Sequence, residues 1–495
     1  MKKRVNKISV IIVLFLTNLI LCLYYYFKKY ISTVNFISIL FHITNNAQGQ
    51  GTLNVILDGL KSCYMFMIII VVIEIMLFTN FKSKVYIKYK KNNKSYLVYP
   101  TIIAKYKLVF SVILLFLSCF LLFEKVNFRE YIKMAKSNTK IYEMCYVETN
   151  SVDITFEGNK RNLILLYLES MESSLFSKEN NGAFEVSRIP ELEKLAKENI
   201  NFSNKDGLGG MLQLDSTSFT IGSFVASTSS TPLLSGGYNT SQEKKQSFSN
   251  VKTLGDVLSS NNYNLEFMQG SDIKFSGTDK YLKNHGNYNI FDYNTAKERN
   301  YISDNYFVWW GVEDKKLFEY AKKDIIELAN KENPFAFTMF TIDTHFKDGY
   351  LDSSCDNKFS DKMSNSFACS SKKVYEFVNW IKKQDFYDNT MIVILGDHVT
   401  MQSSYYEKAP NYQRTVYNVF INSKKENVNS KNRLVSGFDI YPTILSGLGA
   451  SMSSNKIGFG TNLFSSEKTN LEIYGYDYFK EELKKKSNYY YKKIF

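Results

Sequence analysis

Three long apolar stretches near the N-terminus most constrain what this chain can fold into. They are Ile8–Phe27, Ser62–Phe78 and Leu108–Phe123. A helix needs about 20 apolar residues to cross the hydrocarbon core of a membrane. The second and third stretches are slightly short, so each must recruit flanking residues. The sequence therefore predicts a membrane region over residues 1–127 that contains three transmembrane helices.

The charge distribution supports this prediction and gives the helices an orientation. The chain has 61 Lys+Arg and 48 Asp+Glu, a formal net charge of +13. Residues 1–127 hold 16 Lys+Arg and 3 Asp+Glu, so the whole excess lies in the membrane region and argues against a nucleic-acid partner. Positive loops stay in the cytoplasm. The basic N-terminus and the lysines from Lys82 to Lys107 are therefore cytoplasmic. Everything after Phe123 is then periplasmic or extracellular, and the protein is a multi-pass cytoplasmic membrane protein.

A cleavable signal peptide is the alternative for the first apolar stretch, because a basic start and an apolar core are common to both. The stretch ends in the bulky run Leu-Tyr-Tyr-Tyr-Phe27, which offers no small-residue cleavage site. We therefore interpret the stretch as a membrane anchor.

The rest of the chain divides into a polar connector over 128–158, one large domain over 159–465 and a solvated tail over 466–495. Within the domain, short apolar runs alternate with helical patterns. This alternation predicts an α/β fold with a mostly parallel sheet and helices on both faces. The predicted strands are Leu163–Leu168, Leu265–Met268, Phe335–Ile342, Met391–Leu395 and Val416–Ile421. The predicted helices are Glu191–Glu198, Lys315–Ala329, Lys372–Lys383 and Tyr441–Leu448.

Two of the six cysteines stand close together in a polar, loop-like stretch. Cys355 and Cys369 lie within Asp352–Ser371, where a disulfide would close a short loop in an oxidising compartment. Two free thiols are the alternative, because nearby loop cysteines are also common without a bond. The sequence contains no C-x-x-C pair, which argues against a structural zinc cluster.

Acidic and histidine side chains follow three of the predicted strands. Glu169 ends the first of these strands, and His345 follows another. Asp397 and His398 follow a third. Because the carboxyl ends of parallel strands share one edge of a sheet, these groups are expected to gather there. Two carboxylates and an imidazole suit a hard-to-borderline dication. Taken singly, each carboxylate is more simply explained as a helix cap or a salt-bridge partner.

Thr220 lies in the hydroxyl-rich run Asp215–Ser227. A threonine hydroxyl is too weakly acidic to attack at neutral pH unless a metal or a base holds it as an alkoxide. The run Ser216–Ser218 offers N-cap chemistry, and Ile221–Ser227 can continue as a buried helix. The free N–H groups of a helix N-terminus favour phosphate or sulfate oxygens. Without the acidic residues, an ordinary capped helix would be the preferred interpretation.

Together, these motifs resemble those of the membrane-anchored phosphoglycerol transferases and lipoteichoic acid synthases of the alkaline phosphatase and sulfatase superfamily. The resemblance spans most of residues 160–450 and depends on the order of five motifs. These are Leu-Tyr-Leu-Glu169-Ser, Ser-Phe-Thr220-Ile-Gly, Asp-Thr-His345-Phe, Gly-Asp397-His398 and Phe-Asp-Ile-Tyr-Pro-Thr-Ile-Leu445. Sulfatases proper are excluded, because the sequence around Thr220 lacks their C/S-x-P-x-R motif.

The resemblance implies an alkaline-phosphatase-like catalytic domain with a metal site. Glu169, Asp397 and His398 would hold one divalent metal, which is Mn²⁺ by similarity, with Zn²⁺ or Mg²⁺ as alternatives. Thr220 would complete the set as both metal ligand and nucleophile. His345 would bind the substrate.

Within this family, the sequence looks closer to phosphoglycerol transferase I than to the lipoteichoic acid synthases. The run Thr-Ile-Gly-Ser-Phe-Val-Ala-Ser227 carries that similarity, together with Gln-Gly-Ser-Asp272. Lipoteichoic acid synthases hold the glycerophosphate with a Trp-x-Arg-Asp element, which is missing here. Ser276 and Thr278 stand in its place. Phosphate contacts are then expected from Lys274, Lys280 or His285.

The implied reaction is transfer of phosphoglycerol from phosphatidylglycerol to a hydroxyl of an envelope glycan. A phosphoglyceryl-threonine would form on the way, and the membrane would present the donor lipid. A phosphoethanolamine transferase with a zinc ion is one alternative, because it uses the same constellation of residues. A non-catalytic, membrane-anchored sensor is the other.

Overall fold

The structure is a computed structural model, and it describes residues 2–30, 36, 52–78, 86–89, 94–97, 106–234, 248–402, 405–406, 409, 411–425 and 429–494. The chain divides into two compact units. The first comprises Met1–Phe36 and Thr52–Ile132, and the second comprises Ile37–Gly51 and Lys133–Phe495.

The described strands and helices follow each other along the chain in this order. The strands are β1 Tyr86–Tyr89, β2 Lys94–Leu97, β3 Ile154–Phe156, β4 Asn162–Leu168, β5 Asn264–Gln269, β6 Asn289–Phe291, β7 Phe335–Phe340, β8 Thr390–Gly396, β9 Asn418–Ile421, β10 Ala450–Met452, β11 Lys456–Ile457 and β12 Gly460–Thr461. The helices are α1 Lys2–Tyr30, α2 Thr52–Phe78, α3 Lys107–Lys125, α4 Phe128–Lys136, α5 Ile141–Cys145, α6 Pro190–Glu198, α7 Thr220–Ser229, α8 Leu254–Ser260, α9 Thr278–Asn284, α10 Tyr293–Glu298, α11 Asp314–Ala329, α12 Lys362–Ile381, α13 Ile440–Leu448, α14 Asn470–Tyr474 and α15 Tyr476–Lys484.

The first unit contains a helix over each of the three predicted spans. Among the described residues, two helical spans are long and apolar enough to cross a membrane, namely Ile8–Tyr30 and Lys107–Lys125. Their apolar side chains remain exposed, with 62% exposure for Phe15 and 72% for Phe116. Such surfaces need an apolar surrounding, so these two helices support a membrane anchor. Most of the lysine-rich loop lies outside the described residues.

A six-stranded sheet forms the centre of the second unit. Its order is β6-β5-β7-β4-β8-β9, and every neighbouring pair is parallel except β8 and β9. The predicted α/β fold with a mostly parallel sheet is therefore confirmed. The three-residue strand β6 was not predicted, because so short a run shows no periodicity. The predicted strand Phe335–Ile342 ends at Phe340 instead, and the Ile342 N–H bonds to the side chain of Asp314 (2.7 Å).

Strand β4 explains why both faces of the sheet are covered. Alternate side chains of a strand point to opposite faces. Leu163, Leu165 and Tyr167 belong to one hydrophobic cluster, which also contains residues of α7, α8 and α13. Ile164, Leu166 and Leu168 belong to the other, which contains residues of α6, α11 and α12. Two apolar faces require helices on both sides, as in other buried parallel sheets.

Helix α12 corrects the prediction of a loop over Asp352–Ser371. The helix begins at Lys362, ten residues before the predicted start, and the Asp361 side chain caps it by accepting from the Ser364 N–H (2.8 Å). The polar residues of this segment hid the apolar spacing of Met363 and Phe367, which are both buried. Cys369 therefore lies on a helix, and it forms the predicted disulfide with Cys355, with a Cα–Cα distance of 5.2 Å.

Residues expected to be a connector and a solvated tail instead belong to the core. Strand β3 pairs with β10, and Ile141 and Tyr142 are 1% exposed. Phe479 and Tyr490 are buried in the same hydrophobic cluster. The predicted domain limits of 159 and 465 are therefore too narrow. The tail also reaches the segment before Thr220, because the Tyr476 hydroxyl donates to the Gln213 carbonyl (2.7 Å).

Candidate active site

The sheet brings two of the predicted acidic residues together. Leu168, at the end of β4, is in register with Gly396, at the end of β8. The residues that follow these strands, Glu169 and Asp397, therefore emerge side by side at the same edge. Gly396 is needed at this position, because an added Cβ would lie 1.9 Å from the Met171 carbonyl oxygen.

Glu169, Asp397 and His398 form one buried group, which we call the ligand cluster. One ligand atom from each residue lies within 4.8 Å of the others. The His398 Nε2 atom is 3.4 Å from the Asp397 Oδ2 atom and 3.8 Å from the Glu169 Oε1 atom. Each residue is at most 3% exposed. Among the residues that the structure describes, no lysine or arginine forms an ion pair with either carboxylate. Two buried acids beside one imidazole carry excess negative charge, so the cluster fits a bound cation.

The orientation of His398 is set by the loop that follows it. The Val399 carbonyl accepts a hydrogen bond from Nδ1 of His398 (3.1 Å), so Nε2 is the ring nitrogen that faces the carboxylates. The Val399 N–H donates to the Gln213 side chain (2.8 Å). His398 therefore already presents Nε2, the nitrogen that a metal would bind, to the two carboxylates.

Thr220 is joined to the ligand cluster by its hydroxyl. The Thr220 Oγ1 atom donates to the Asp397 Oδ2 atom at 3.0 Å. Thr220 is the first residue of α7, and it is partly exposed while the rest of the helix is buried. The nucleophile candidate thus sits at a helix N-terminus where a substrate can reach it. The predicted cap was wrong, because Phe219 occupies the N-cap position and makes no side-chain cap bond.

Burial and charge perturb the pKa values in this group. Burial, together with the Glu169 charge, raises the pKa of Asp397 to about 7. Burial alone would lower the pKa of His398, but the charges of Asp397 and Glu169 outweigh it and raise that pKa. The metal-free cluster therefore binds protons near neutral pH. Perturbed pKa values of this kind are typical of functional sites.

Ser170 is a site residue that the sequence interpretation missed. Its backbone is left-handed, with a φ of 54°. In this conformation its N–H donates to the Asp397 Oδ1 atom (2.8 Å) and its hydroxyl donates to the Glu169 Oε1 atom (2.7 Å). A left-handed serine costs about 1–3 kcal/mol, and such strain gathers at functional sites. A serine directly after the first ligand was the signal available in the sequence.

A second missed feature is the buried ion pair between Glu172 and Arg414. Two guanidinium nitrogens of Arg414 donate to Glu172 at 2.8 and 2.6 Å. Glu172 also accepts from the Thr400 N–H (3.0 Å), and Arg414 donates to the Thr400 carbonyl (2.6 Å). The pair therefore fixes the chain two residues after His398.

His345 lies on the loop that follows β7. Its Nδ1 atom donates to the Phe346 carbonyl (2.6 Å). Burial lowers the pKa of His345 to about 4, and the charges of His398 and Asp397 also act on it. His345 is therefore neutral at pH 7 and within electrostatic reach of the ligand cluster. Its ring packs edge-to-face against Trp310, with centroids 4.6 Å apart.

The three other predicted phosphate contacts are not members of the ligand cluster. His285 is 4% exposed, and its Nδ1 atom bonds to Asp256 (2.8 Å). Lys274 precedes a short 3₁₀ turn and Lys280 lies on α9, and both are exposed. The structure thus brings together Glu169, Thr220, Asp397 and His398, with His345 nearby.

The geometry agrees with the family comparison. The chain matches the Sulfatase family over residues 161–450, more than half of its length. The chain belongs to the Sulfatase family, although it lacks the C/S-x-P-x-R motif of sulfatases proper around Thr220. The superfamily predicted from the motifs is therefore confirmed, and the matched residues include the ligand cluster and Thr220.

Two relatives and one solved structure show which members of this superfamily the chain resembles. Phosphoglycerol transferase I from Citrobacter koseri is 33% identical over 261 residues, which cover 50% of this chain and 32% of the relative. Phosphoglycerol transferase I from Salmonella choleraesuis is 30% identical over 324 residues, covering 63% and 40%. The matches thus span less than half the length of these relatives. The crystal structure of the lipoteichoic acid synthase LtaP from Listeria monocytogenes is similar with a TM-score of 0.48 and 18% identity, over 68% of this chain and 81% of that one.

Proposed function

We propose that this protein transfers a phosphoglycerol group from phosphatidylglycerol to a hydroxyl of a cell-envelope glycan. The observation that carries the proposal is the Thr220 hydroxyl bonded to Asp397, beside two further residues with metal-ligand chemistry. The names of the relatives support phosphoglycerol as the transferred group. Membership of the sulfatase family supports exchange at a tetrahedral phosphorus or sulfur centre.

The residues present fit one divalent metal, and Mn²⁺ is the metal we propose. Glu169, Asp397, His398 and Thr220 would hold it. When bound, such an ion neutralises negative charge on the phosphate and lowers the pKa of the threonine hydroxyl. Asp397 is placed to accept the proton of that hydroxyl, because the two groups are already hydrogen-bonded. The free N–H groups at the start of α7 are placed to face a phosphate oxygen.

The reaction would proceed by double displacement. In the first step, the Thr220 oxygen forms a bond to phosphorus, the bond to the diacylglycerol oxygen breaks, and diacylglycerol leaves with a proton. In the second step, a glycan hydroxyl attacks the phosphoglyceryl-threonine and loses its proton, which restores the Thr220 hydroxyl. We propose that His345 and the exposed residues Lys274 and Lys280 contact the glycerol and phosphate oxygens.

The donor lipid explains the membrane anchor. We propose that the chain is a multi-pass protein of the cytoplasmic membrane whose catalytic unit lies on the outer side. The basic N-terminus and lysine-rich loop support that orientation. The Cys355–Cys369 disulfide supports an oxidising compartment.

One experiment tests donor and nucleophile together. The detergent-solubilised protein is incubated with Mn²⁺ and either phosphatidylglycerol or phosphatidylethanolamine, and its peptides are then analysed by mass spectrometry. We expect diacylglycerol release from phosphatidylglycerol and a glycerol phosphate increment on Thr220. An ethanolamine phosphate increment would instead establish the phosphoethanolamine transferase alternative. Absence of an adduct from both lipids, with Mn²⁺ or Zn²⁺, would contradict covalent transfer.

Metal binding should weaken in acid. The pKa of Asp397 is about 7 in the metal-free protein, and a ligand carboxyl must lose its proton before it binds a cation. We expect the apparent Mn²⁺ affinity to fall by at least about tenfold per pH unit below pH 7, since the proton on Asp397 competes with the metal and the raised pKa of His398 adds a second competing proton. Isothermal titration calorimetry from pH 5.5 to 8 measures this. An affinity that stays constant over this range would contradict the assignment of Asp397 as a ligand.

A further inference from the structure

Two tryptophans form the tip of a short hairpin beside the candidate active site. Val308 and Gly311 exchange two backbone hydrogen bonds, both of 2.9 Å. Trp309 and Trp310 are the two residues between them. Trp309 adopts a left-handed backbone with a φ of 58°. This conformation is costly for a bulky residue, so contacts from outside the hairpin must hold it.

Two strand ends supply those contacts. The Val312 N–H donates to the carbonyl of Gly270, which directly follows β5 (2.9 Å). An added Cβ at Gly270 would lie 2.1 Å from the Val312 carbonyl oxygen, so this close approach depends on glycine. The Trp309 Nε1 atom donates to the carbonyl of Ile342, beyond the end of β7 (3.1 Å). The hairpin is therefore fixed to the same sheet edge that carries the ligand cluster.

This anchoring places Trp310 against His345. Its ring centroid is 4.6 Å from that of His345, in an edge-to-face arrangement, and 6.2 Å from that of Phe275. Trp310 is partly exposed, and Phe275 is 37% exposed. The anchored hairpin thus fixes the backbone of Trp310 and leaves its indole partly exposed.

The chemistry of this surface indicates the kind of group that it binds. The face of an indole is electron-rich and repels a phosphate, so the ring does not suit the anionic part of the donor. A lipid chain would require a broad apolar surface, whereas the exposed Lys274 directly precedes Phe275. A sugar ring combines a face of weakly positive C–H groups with a rim of hydroxyls. The C–H face complements the indole, and the hydroxyls can bond to the His345 imidazole.

We propose that Trp310 is the platform on which a sugar ring of the acceptor glycan stacks during the second step of transfer. This inference rests on the proposed transferase function. In this assignment Trp310 binds the acceptor, whereas the ligand cluster and Thr220 react with the phosphate of the donor lipid. A rigid aromatic platform binds with little loss of conformational entropy. This small entropy loss offsets the backbone strain of Trp309 in the hairpin that positions Trp310.

The test separates the two steps of the reaction. The first step is measured as diacylglycerol release from phosphatidylglycerol without glycan, and the second as transfer to soluble oligosaccharides of glucose, galactose or N-acetylglucosamine. We expect the W310A variant to raise the half-saturating concentration of the best oligosaccharide about tenfold, a usual cost of removing an aromatic anchor. Glycan-independent diacylglycerol release should fall by a clearly smaller factor than transfer to the glycan, because Trp310 touches the donor side of the site only through His345. W310F, which keeps an aromatic face, should give an intermediate value.

Trp380 provides the matched control, because it lies on α12 and packs against Phe377. W380F should change neither step. Equal slowing of both steps by W310A would overturn the platform, since the residue would then serve the donor or the fold. An unchanged half-saturating concentration of the oligosaccharide in W310A would also overturn it.

Binding is also measured without turnover, so that failure of the proposed function remains distinguishable. The same oligosaccharides are titrated into the W380F protein, in which Trp309 and Trp310 are the only tryptophans, and tryptophan fluorescence is followed. If an oligosaccharide quenches the tryptophan fluorescence and the added substitution W310F weakens that quenching, the result supports the platform even if phosphatidylglycerol is not the donor. Absence of binding by every oligosaccharide would overturn it, whatever the donor.

Discussion

Replacing Thr220 by alanine should abolish phosphoglycerol transfer while leaving the fold intact. The substitution removes the only atom that can carry the covalent intermediate in the proposed reaction. Loss of a nucleophile typically costs several orders of magnitude in rate, so we expect at least about a thousandfold decrease in diacylglycerol release. The Thr220 hydroxyl makes one hydrogen bond, to Asp397, so thermal stability should change little. Initial rates with fluorescent phosphatidylglycerol measure the effect.

Thr228 is the matched control, because it is a threonine two turns further along the same helix. Its hydroxyl bonds to Phe224 and Tyr281 rather than to the ligand cluster. Thr228→Ala should therefore keep the rate within about twofold, and Thr220→Ser should retain part of the activity. A Thr220→Ala protein that still releases diacylglycerol would exclude the threonine intermediate. A cellular phenotype that survives this substitution would favour the sensor alternative.

Among the substitutions considered, replacing Lys373 by methionine should lower the free energy of unfolding most. Its ammonium group is 2.8 Å from Asp343 and 2.6 Å from Asp352, and all three side chains are at most 10% exposed. Asp314, fully buried, accepts from the Asp343 N–H (3.1 Å) and so places a third acid in this group. Removing one partner of a buried ion pair costs about 3–5 kcal/mol. Urea unfolding followed by tryptophan fluorescence measures the loss.

The pH dependence identifies the cause of that loss. Burial raises the pKa values of Asp343 and Asp314, and Lys373 opposes this rise. Without Lys373 the folded protein holds more protons than the unfolded chain above about pH 4, so the variant should lose stability as pH rises. In the wild type, burial raises the pKa of Asp352, but hydrogen bonds to Lys373 and Ser354 outweigh it and hold the pKa at about 2. Its stabilisation is present above the unfolded value near 4 and disappears only as pH falls toward 2. The difference between the two proteins should therefore be larger at pH 7.5 than at pH 4.5.

Lys372→Met is the control for this experiment, since Lys372 is the exposed neighbour on the same helix. It should change the free energy of unfolding by no more than about 0.5 kcal/mol. An equal loss in Lys373→Met at both pH values would show that packing of the lysine stem, and not its charge, is what stabilises the protein.

The ligand cluster could be predicted because it depends on a simple rule. Glu169 and Asp397 each follow an apolar run, and parallel strands end at one edge. No contact had to be known in advance. Trp310 and Lys373 follow no such rule. Trp309 bonds to a carbonyl 33 residues away, and Lys373 bonds to an acid 30 residues away. Side-chain contacts of this kind leave no periodic signal in a single sequence.

The tail was mispredicted for a different physical reason. Its lysines and tyrosines suggested a solvated segment, but a tyrosine ring can be buried once its hydroxyl finds an acceptor. The Tyr490 hydroxyl donates to the Pro232 carbonyl (3.1 Å), and Tyr490 is 1% exposed. His285 shows the same effect, because Asp256 provides the bond that allows its burial.

The two ends of the second unit contact each other, and this contact affects how the protein matures. The Thr139 hydroxyl bonds to Glu482, 343 positions later, and Tyr476 braces the segment that leads to the candidate nucleophile. Ribosomes add about 5–20 residues per second, so roughly 20 to 70 s separate the synthesis of these partners. The emerging polypeptide must remain without its final packing during that interval, after the hydrophobic helices have been made. If this unit lies on the outer side of the membrane as proposed, chaperones there would meet an inactive, protease-sensitive intermediate, and activity would arise only when the last turns dock.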